Sequence, residues 1–282
     1  MRRIAKKRDV AMLSFLYRTS LGRALLKPLT CRFVSKLAGA YMESRASARL
    51  IPSFIKKNGI DLEDYVVEDW RSFNEFFCRR IKPEARPIER DPNQFVAPCD
   101  GLLTVYPIQN DLVLPVKQSK YSIPRLLENP ELAKRYNGGL CLVFRLCVTH
   151  YHRYGYVETG RKSANVFISG KLHTVQPIAL ESRPVFIENC REYTVIDTQN
   201  WGRVVQMEVG ALMVGKIANA ELGEADVERC AEKGMFKFGG STIILLVEED
   251  RLDIQKRFLA ASVLGEETPV KYGEPIGVAF PR

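Results

Sequence analysis

Phe238-Gly239-Gly240-Ser241-Thr242, followed at once by the apolar run Ile243-Ile244-Leu245-Leu246-Val247, is the stretch from which this chain can be read. The run is rich in β-branched and aliphatic residues and reads as a buried strand. The glycines before it allow a sharp turn and leave the Gly240 carbonyl accessible. A serine hydroxyl at position 241 can attack that carbonyl, the first step of a backbone cleavage between Gly240 and Ser241. Elimination from the resulting ester would leave residue 241 as a pyruvoyl group at a new N-terminus. Most Gly-Ser-Thr tripeptides are ordinary turns, so the company this one keeps must decide.

The chain has 282 residues, 46% hydrophobic and 27% charged, which suits one large globular domain or a domain with an appendage. Its net charge of +9 is unevenly spread. Residues 1–60 hold fourteen Lys or Arg against Asp9 and Glu43, an excess of +12, so the remainder is about −3. A basic segment on a near-neutral body implies an anionic partner surface, a lipid leaflet or nucleic acid. No nucleic-acid-binding motif is present, and apolar faces between the basic residues suit lipid better. No stretch approaches the ~18–20 uncharged residues that span a bilayer, and no signal peptide is recognisable. The expectation is a peripheral protein on the cytoplasmic face of a membrane.

Cys31, Cys78, Cys99, Cys141, Cys147, Cys190 and Cys230 are odd in number and never spaced C-x-x-C, which supports neither zinc knuckles nor a disulfide framework. Cys99, in a Gly- and Pro-containing loop, is expected to be the accessible one. His150, His152 and His173 are the only histidines, and His-x-His is a spacing that strand-borne zinc sites use. Nothing else marks a metal hydrolase, and no metal is expected.

The fold class expected is α+β, with a helical N-terminal portion leading into a β-rich catalytic domain. Residues 10–28 carry Met12, Phe15, Leu16, Leu21 and Leu25 at helical spacing, with Arg18, Arg23 and Lys27 between or just beyond them. A second helix is expected from about Cys31 to Arg49 and a third from about Pro52 to Asn58. These stripes suit either packing within the protein or an interfacial helix. Residues 61–93 read as a connecting segment. Strands are expected at 95–97, 102–108, 112–116, 140–148, 164–168, 193–196, 204–209 and 242–247, and helices at 124–136, interrupted near Pro130, and at 224–233. The domains read as 1–60, 61–93 and 94–282.

Four motifs follow one another in order. They are Phe73-Asn74-Glu75-Phe76-Phe77-Cys78-Arg79-Arg80 running on to Ile88, then Pro98-Cys99-Asp100-Gly101, then Tyr151-His152-Arg153-Tyr154, then Phe236 to Thr242. Together they resemble the phosphatidylserine decarboxylase family over about residues 12–278. The resemblance implies conversion of phosphatidylserine to phosphatidylethanolamine and carbon dioxide. It also implies a pyruvoyl group derived from Ser241, which binds the substrate amine, and a precursor cut into chains 1–240 and 241–282. Such a group supplies the electron sink that decarboxylation of an amino acid needs, a task usually given to pyridoxal phosphate; no glycine-rich phosphate cradle stands beside a plausible lysine here.

The resemblance assigns Asp100 as the acid that orients a histidine in self-cleavage, and His152 to decarboxylation. From the tetrapeptide alone Asp100 is equally an Asx-turn residue. The family's second histidine is absent: Gly155 stands at its place. His150, two residues from His152 and facing the same side if the segment is extended, is the preferred substitute base. His152 serving twice, Glu158 and His173 are the other candidates, and a histidine restored at 155 is expected to speed cleavage. A non-cleaving, inert lipid-binding homologue is the alternative that Gly155 raises. The stretch from Phe73 to Arg86 is assigned no catalytic role.

Overall fold

The computed structural model describes residues 11–30, 32–109, 113–116, 119–211, 217–238 and 241–280. Gly239 and Gly240, Cys31 and the basic residues before position 11 lie outside them. The helices are α1 (11–18), α2 (Ser20–Leu29), α3 (Arg32–Glu43), α4 (Ile51–Asn58), α5 (Phe73–Phe77), α6 (Ile123–Leu127), α7 (Pro130–Lys134), α8 (Pro177–Ser182), α9 (Val185–Glu188) and α10 (Lys256–Val263). The first strands are β1 (Gln94–Val96), β2 (Gly101–Pro107), β3 (Val113–Val116), β4 (Ser119–Ser122), β5 (Leu140–Leu146), β6 (Arg153–Gly155), β7 (Gly160–Lys162) and β8 (Val166–Ile168). They are followed by β9 (Arg191–Thr198), β10 (Arg203–Val209), β11 (Ile217–Asn219), β12 (Ala225–Val227), β13 (Glu232–Phe236), β14 (Ser241–Val247), β15 (Leu252–Ile254), β16 (Thr268–Val270) and β17 (Pro275–Ala279). Helices precede the strand-rich body, which is the α+β organisation expected.

A nine-stranded sheet in the order β12-β7-β9-β10-β14-β5-β2-β16, with β8 also on β9, forms the body. The apolar run read from the sequence becomes β14 near its middle, antiparallel to β10 on one side and β5 on the other. All seven residues of β14 are buried, because both faces of the sheet are covered. On one face Ile244, Leu246, Val143, Val205 and Met207 pack with Leu13, Tyr17 and Leu26 of α1 and α2 and with α6 to α9. On the other, Ile243, Leu245, Val247, Phe144 and Leu146 pack against Phe95, Tyr154, Trp201, Phe236, Phe258 and Ile276. The small sheets β11-β13-β6 and β1-β17-β15 supply much of that second layer.

Two expectations need correction. Residues 224–233 are not a helix but β12, a turn and the start of β13. Their composition favours a helix locally, but edge pairing with β7 and β6 buries Val227 and Lys233, and tertiary pairing wins. The first helix breaks at Thr19, whose side chain accepts from the Gly22 N–H at 2.9 Å and caps α2. The interruption near Pro130 is present, with Asn129 capping α7.

Helix α1 is latched to the body through Tyr17. Its hydroxyl accepts from the Thr174 N–H at 3.1 Å and lies 3.4 Å from His173 Nδ1, while His173 Nε2 lies 3.2 Å from Glu188. Burial, helped by Arg183, lowers the His173 pKa from 6.5 to about 4, with the Glu188 charge opposing. The neutral ring is therefore the folded form, and below about 6.5 the unfolded chain binds the extra proton. Stability is fully present above that pH and is lost as pH falls toward about 4. Thermal unfolding should show a fall in midpoint across this window that is shallower in His173→Gln; equal slopes would remove His173 from the latch.

Candidate active site

Ser241 opens β14 opposite Leu146 of β5, and β5 in turn pairs with β2 just beyond Asp100. Three strand ends therefore bring Ser241, Leu146 and the Asp100–Gly101 turn to one end of the sheet. Ser241 is wholly buried. Among the described residues neither its Oγ nor the Oγ1 of Thr242 has a hydrogen-bond partner. A buried hydroxyl without a partner costs about 1–3 kcal/mol and calls for a functional reason.

The stretch assigned no role turns out to hold the approach to Ser241. Ser72 caps α5 by accepting from the Glu75 N–H, and the helix buries Phe73, Asn74, Phe76 and Phe77. Asn74 Oδ1 accepts from the Phe238 N–H at 2.9 Å, and the Phe73 and Phe77 rings meet the Phe238 ring at 4.8 and 5.3 Å. Phe77 also packs against the His152 ring at 4.0 Å. Cys78 Sγ reaches the Phe236 carbonyl, and the Cys78 carbonyl accepts from Arg153 Nε at 2.8 Å. One short helix thus fixes His152 and the segment entering Ser241 relative to each other. The signal was the run of aromatic residues around a single asparagine, which a solvated helix end does not need.

His152 is buried, and its backbone carbonyl accepts from the Phe236 N–H at 2.9 Å. Its Nδ1 lies 2.9 Å from the His150 carbonyl, an acceptor only, so Nδ1 carries the proton and Nε2 carries the lone pair. His150 is the reverse. The segment is a turn there, closed by His150 N–H to the Cys147 carbonyl, so the two rings do not share a strand face. The Cys147 N–H donates to His150 Nδ1 at 3.1 Å, which puts the proton of the neutral ring on Nε2. Burial lowers the His150 pKa, with the nearby Asp100 charge opposing. In this arrangement His150 presents a donor, not a base.

Asp100 is bound side-on by Arg86, Nε to Oδ1 at 2.8 Å and Nη2 to Oδ2 at 2.7 Å, and Oδ1 also accepts from the Tyr272 N–H at 2.8 Å. It is not a self-satisfied Asx turn. Arg86, near the end of the motif that begins at Phe73, thereby anchors the next motif.

Gly155 lies on β6 with Tyr272 filling the space a side chain would take: a Cβ there would stand 2.5 Å from the Tyr272 hydroxyl and 3.0 Å from the Ala231 carbonyl. Glu158 is committed to Trp201 Nε1 at 2.9 Å and to Arg229, and His173 to Tyr17 and Glu188, so neither is a spare base. Cys99, expected to be accessible, is wholly buried, and burial pushes its thiol up.

Ser241 is thus wholly buried at the end of the sheet where the Asp100 turn lies, and α5 ties His152 to Phe238 in the segment before it. The family model of phosphatidylserine decarboxylase matches residues 73–278. The chain is similar to phosphatidylserine decarboxylase proenzyme 2 of Clostridium acetobutylicum, 41% identical over 94% of this chain and 91% of the relative. It is also similar to the phosphatidylserine decarboxylase proenzymes of Clostridium botulinum, 40% identical, and Clostridium novyi, 39% identical, each over 94% of this chain and 92% of the relative. The chain belongs to the phosphatidylserine decarboxylase family.

Because the Tyr272 phenol fills the missing side chain's place, a histidine restored at 155 is expected to cost ~1–3 kcal/mol through overpacking. Thermal unfolding should show a lowered midpoint for Gly155→His and partial recovery for Gly155→His with Tyr272→Ala. An undiminished midpoint in Gly155→His would mean that the phenol moves aside freely.

Proposed function

We propose that this chain converts phosphatidylserine to phosphatidylethanolamine and carbon dioxide, using a pyruvoyl group that it makes from Ser241 by cutting itself after Gly240. The observation that carries the reading is a wholly buried serine whose hydroxyl has no partner among the described residues, opening a central strand in a member of this family. A pyruvoyl group at residue 241 supplies the electron sink for the pair left on the substrate α-carbon when carbon dioxide departs. Ser241 fits as its precursor: the hydroxyl makes no hydrogen bond to a described residue, so removing it leaves none of them unsatisfied.

His152, with its lone pair on Nε2, is the residue suited to move a proton during decarboxylation. His150 contributes through its carbonyl, which fixes the His152 tautomer. Asp100, clamped by Arg86, holds the turn at the sheet end. The two fragments stay together, since Ile243 to Val247 are buried and each such side chain is worth about 1.5–3 kcal/mol.

The lipid enters from a membrane on which the helical portion rests. Met12, Phe15, Leu21, Leu25, Val34, Leu37 and Tyr41 are exposed, whereas Leu13, Tyr17 and Leu26 point into the core. Arg18, Arg23 and Lys27 flank the exposed set, and each basic residue near an anionic surface adds about 1 kcal/mol. No helix among the described residues is long and apolar enough to cross a membrane. Attachment is peripheral, on the cytoplasmic face, and no nucleic acid partner is part of this reading.

Ser241→Ala should remain a single full-length species on denaturing gels, release no carbon dioxide from phosphatidylserine, and melt within about 1 kcal/mol of the parent, because no hydrogen bond to a described residue is lost. Lipid turnover by that variant would end the pyruvoyl reading. Leu21→Ser, Leu25→Ser and Leu37→Ser combined should weaken binding to anionic vesicles at least roughly tenfold while cleavage proceeds, since each apolar side chain is worth about 1.5–3 kcal/mol when buried. Unchanged sedimentation with vesicles would place the lipid-facing surface elsewhere. Deleting residues 1–30 is a poorer test, because it also removes Leu13, Tyr17 and Leu26 from the core.

A further inference from the structure

Self-cleavage needs a proton acceptor beside Ser241. Of the candidates read from the sequence, Asp100 has both oxygens engaged by Arg86 and Tyr272, Glu158 is held by Arg229 and Trp201, His150 Nδ1 is taken by the Cys147 N–H, and His152 is the residue assigned above to the decarboxylation step. A different carboxylate lies on the Ser241 face of the sheet. Glu208 of β10 stands opposite Ile243 of β14, and Ser241 is two residues from Ile243. Side chains two apart on a strand share a face. Glu208 and Ser241 are therefore diagonal cross-strand neighbours, a separation of roughly 7–8 Å between backbones that long side chains span.

Glu208 is wholly buried and paired with the equally buried Lys233, Nζ to Oε2 at 2.6 Å. Asn219 Nδ2 donates to the same oxygen at 3.1 Å. The other oxygen, Oε1, has no partner among the described residues, like the Ser241 hydroxyl. A buried ion pair is weak as a stabiliser, since desolvating two ions costs several kcal/mol and a well-packed apolar pair often does as well. Lys233 sits on β13, the strand that leads through Phe236 and Phe238 to Ser241 and pairs with β6 directly after His152. Lys162 of β7, Glu192 of β9, Tyr154, Tyr156 and Cys99 are the other titratable groups around the pair. Burial raises the Glu208 carboxyl and Lys233 opposes that rise.

We propose that Glu208, held in place by Lys233, takes the proton of the Ser241 hydroxyl during self-cleavage. The inference rests on the reading of Ser241 as the cleavage nucleophile. Oγ forms a bond to the Gly240 carbonyl carbon as the bond from that carbon to the Ser241 nitrogen breaks. The proton that Glu208 accepts from Oγ is the one the departing nitrogen requires. The shift to the ester is thus an isomerisation with no net proton gained or lost, and Glu208 ends as it began. Lys233 acts as a positioning residue, fixing Oε2 so that Oε1 is the oxygen presented.

The test follows maturation of freshly synthesised full-length chain by denaturing gel and intact mass. Glu208→Gln should slow cleavage by ~10²–10⁴, the usual worth of general-base help. Because Glu208→Gln leaves Lys233 buried without its partner, Glu208→Gln with Lys233→Met is made alongside; it should fold, as judged by near-ultraviolet circular dichroism and a cooperative melt, yet stay uncut. Hydroxylamine, which cleaves esters, should release no fragment from either variant, since the step before the ester is the one blocked. Maturation of the double variant at the parent rate would show that the pair is only structural and overturn the proposal, as would hydroxylamine-sensitive precursor in Glu208→Gln. Ser241→Ala run in parallel separates the two readings: cleavage after Gly240 in that variant would sink the nucleophile assignment itself.

Discussion

The pairing of β14 on both sides is the constraint on which the rest of the structure depends. With β10 and β5 flanking it and apolar layers on both faces, the strand has no freedom to slip, because a one-residue shift would turn Ile243, Leu245 and Val247 to the opposite layer. Ser241 inherits that fixity as the first residue of the strand. A nucleophile on a loop would sample many positions, whereas Ser241 is held by the pairing of the strand it opens. The same pairing excludes water from the hydroxyl, which strengthens every charge interaction around it.

Around this fixed point the polar groups are held in pairs. Arg86 spans from the segment after α5 to Asp100, Lys233 joins β13 to Glu208, and Arg229 joins the turn after β12 to Glu158. Each carboxylate would be costly to bury alone, and each cation comes from a different part of the chain. The first two pairs tie the segment after α5 to the Asp100 turn and β13 to β10, whereas Arg229 and Glu158 meet beside Trp201, toward the other end of β14. Tyr272 belongs to the same set, since its N–H reaches Asp100 while its ring occupies the space above Gly155.

What the sequence made legible was whatever depends on local pattern. The apolar run at 243–247, the strands near 102–108, 140–148 and 204–209, and the three N-terminal helices stand within a few residues of their expected places, because alternation, helical spacing and Gly or Pro punctuation are carried locally. The short strands β6, β7, β11, β12 and β13 were not legible, since strands of three to five residues exist only through their partners. Of the site, Ser241, His152 and Asp100 come from motifs. The burial of Cys99, the turn that separates the rings of His150 and His152, and the phenol over Gly155 are long-range facts that no window of sequence contains. Glu208 looks like any strand residue until the register places it beside Ser241.

The helical portion both carries the exposed apolar side chains and packs against the segment that precedes Ser241. Helices α1 and α2 pack through Leu13, Tyr17 and Leu26 on one face of the sheet. Ile51, Phe54 and Ile55 of α4 join Phe73, Phe76, Phe77 and Phe238 on the other side, next to His152. Between them α3 leaves Val34, Leu37 and Tyr41 exposed and ends at Glu43, which pairs with Lys237 just before Phe238. The apolar surface thus runs along the helices that straddle the sheet end where β14 starts. The segment that holds Phe238 in place is thus packed, through Ile51, Phe54 and Ile55, on the same helical portion that carries the exposed apolar side chains.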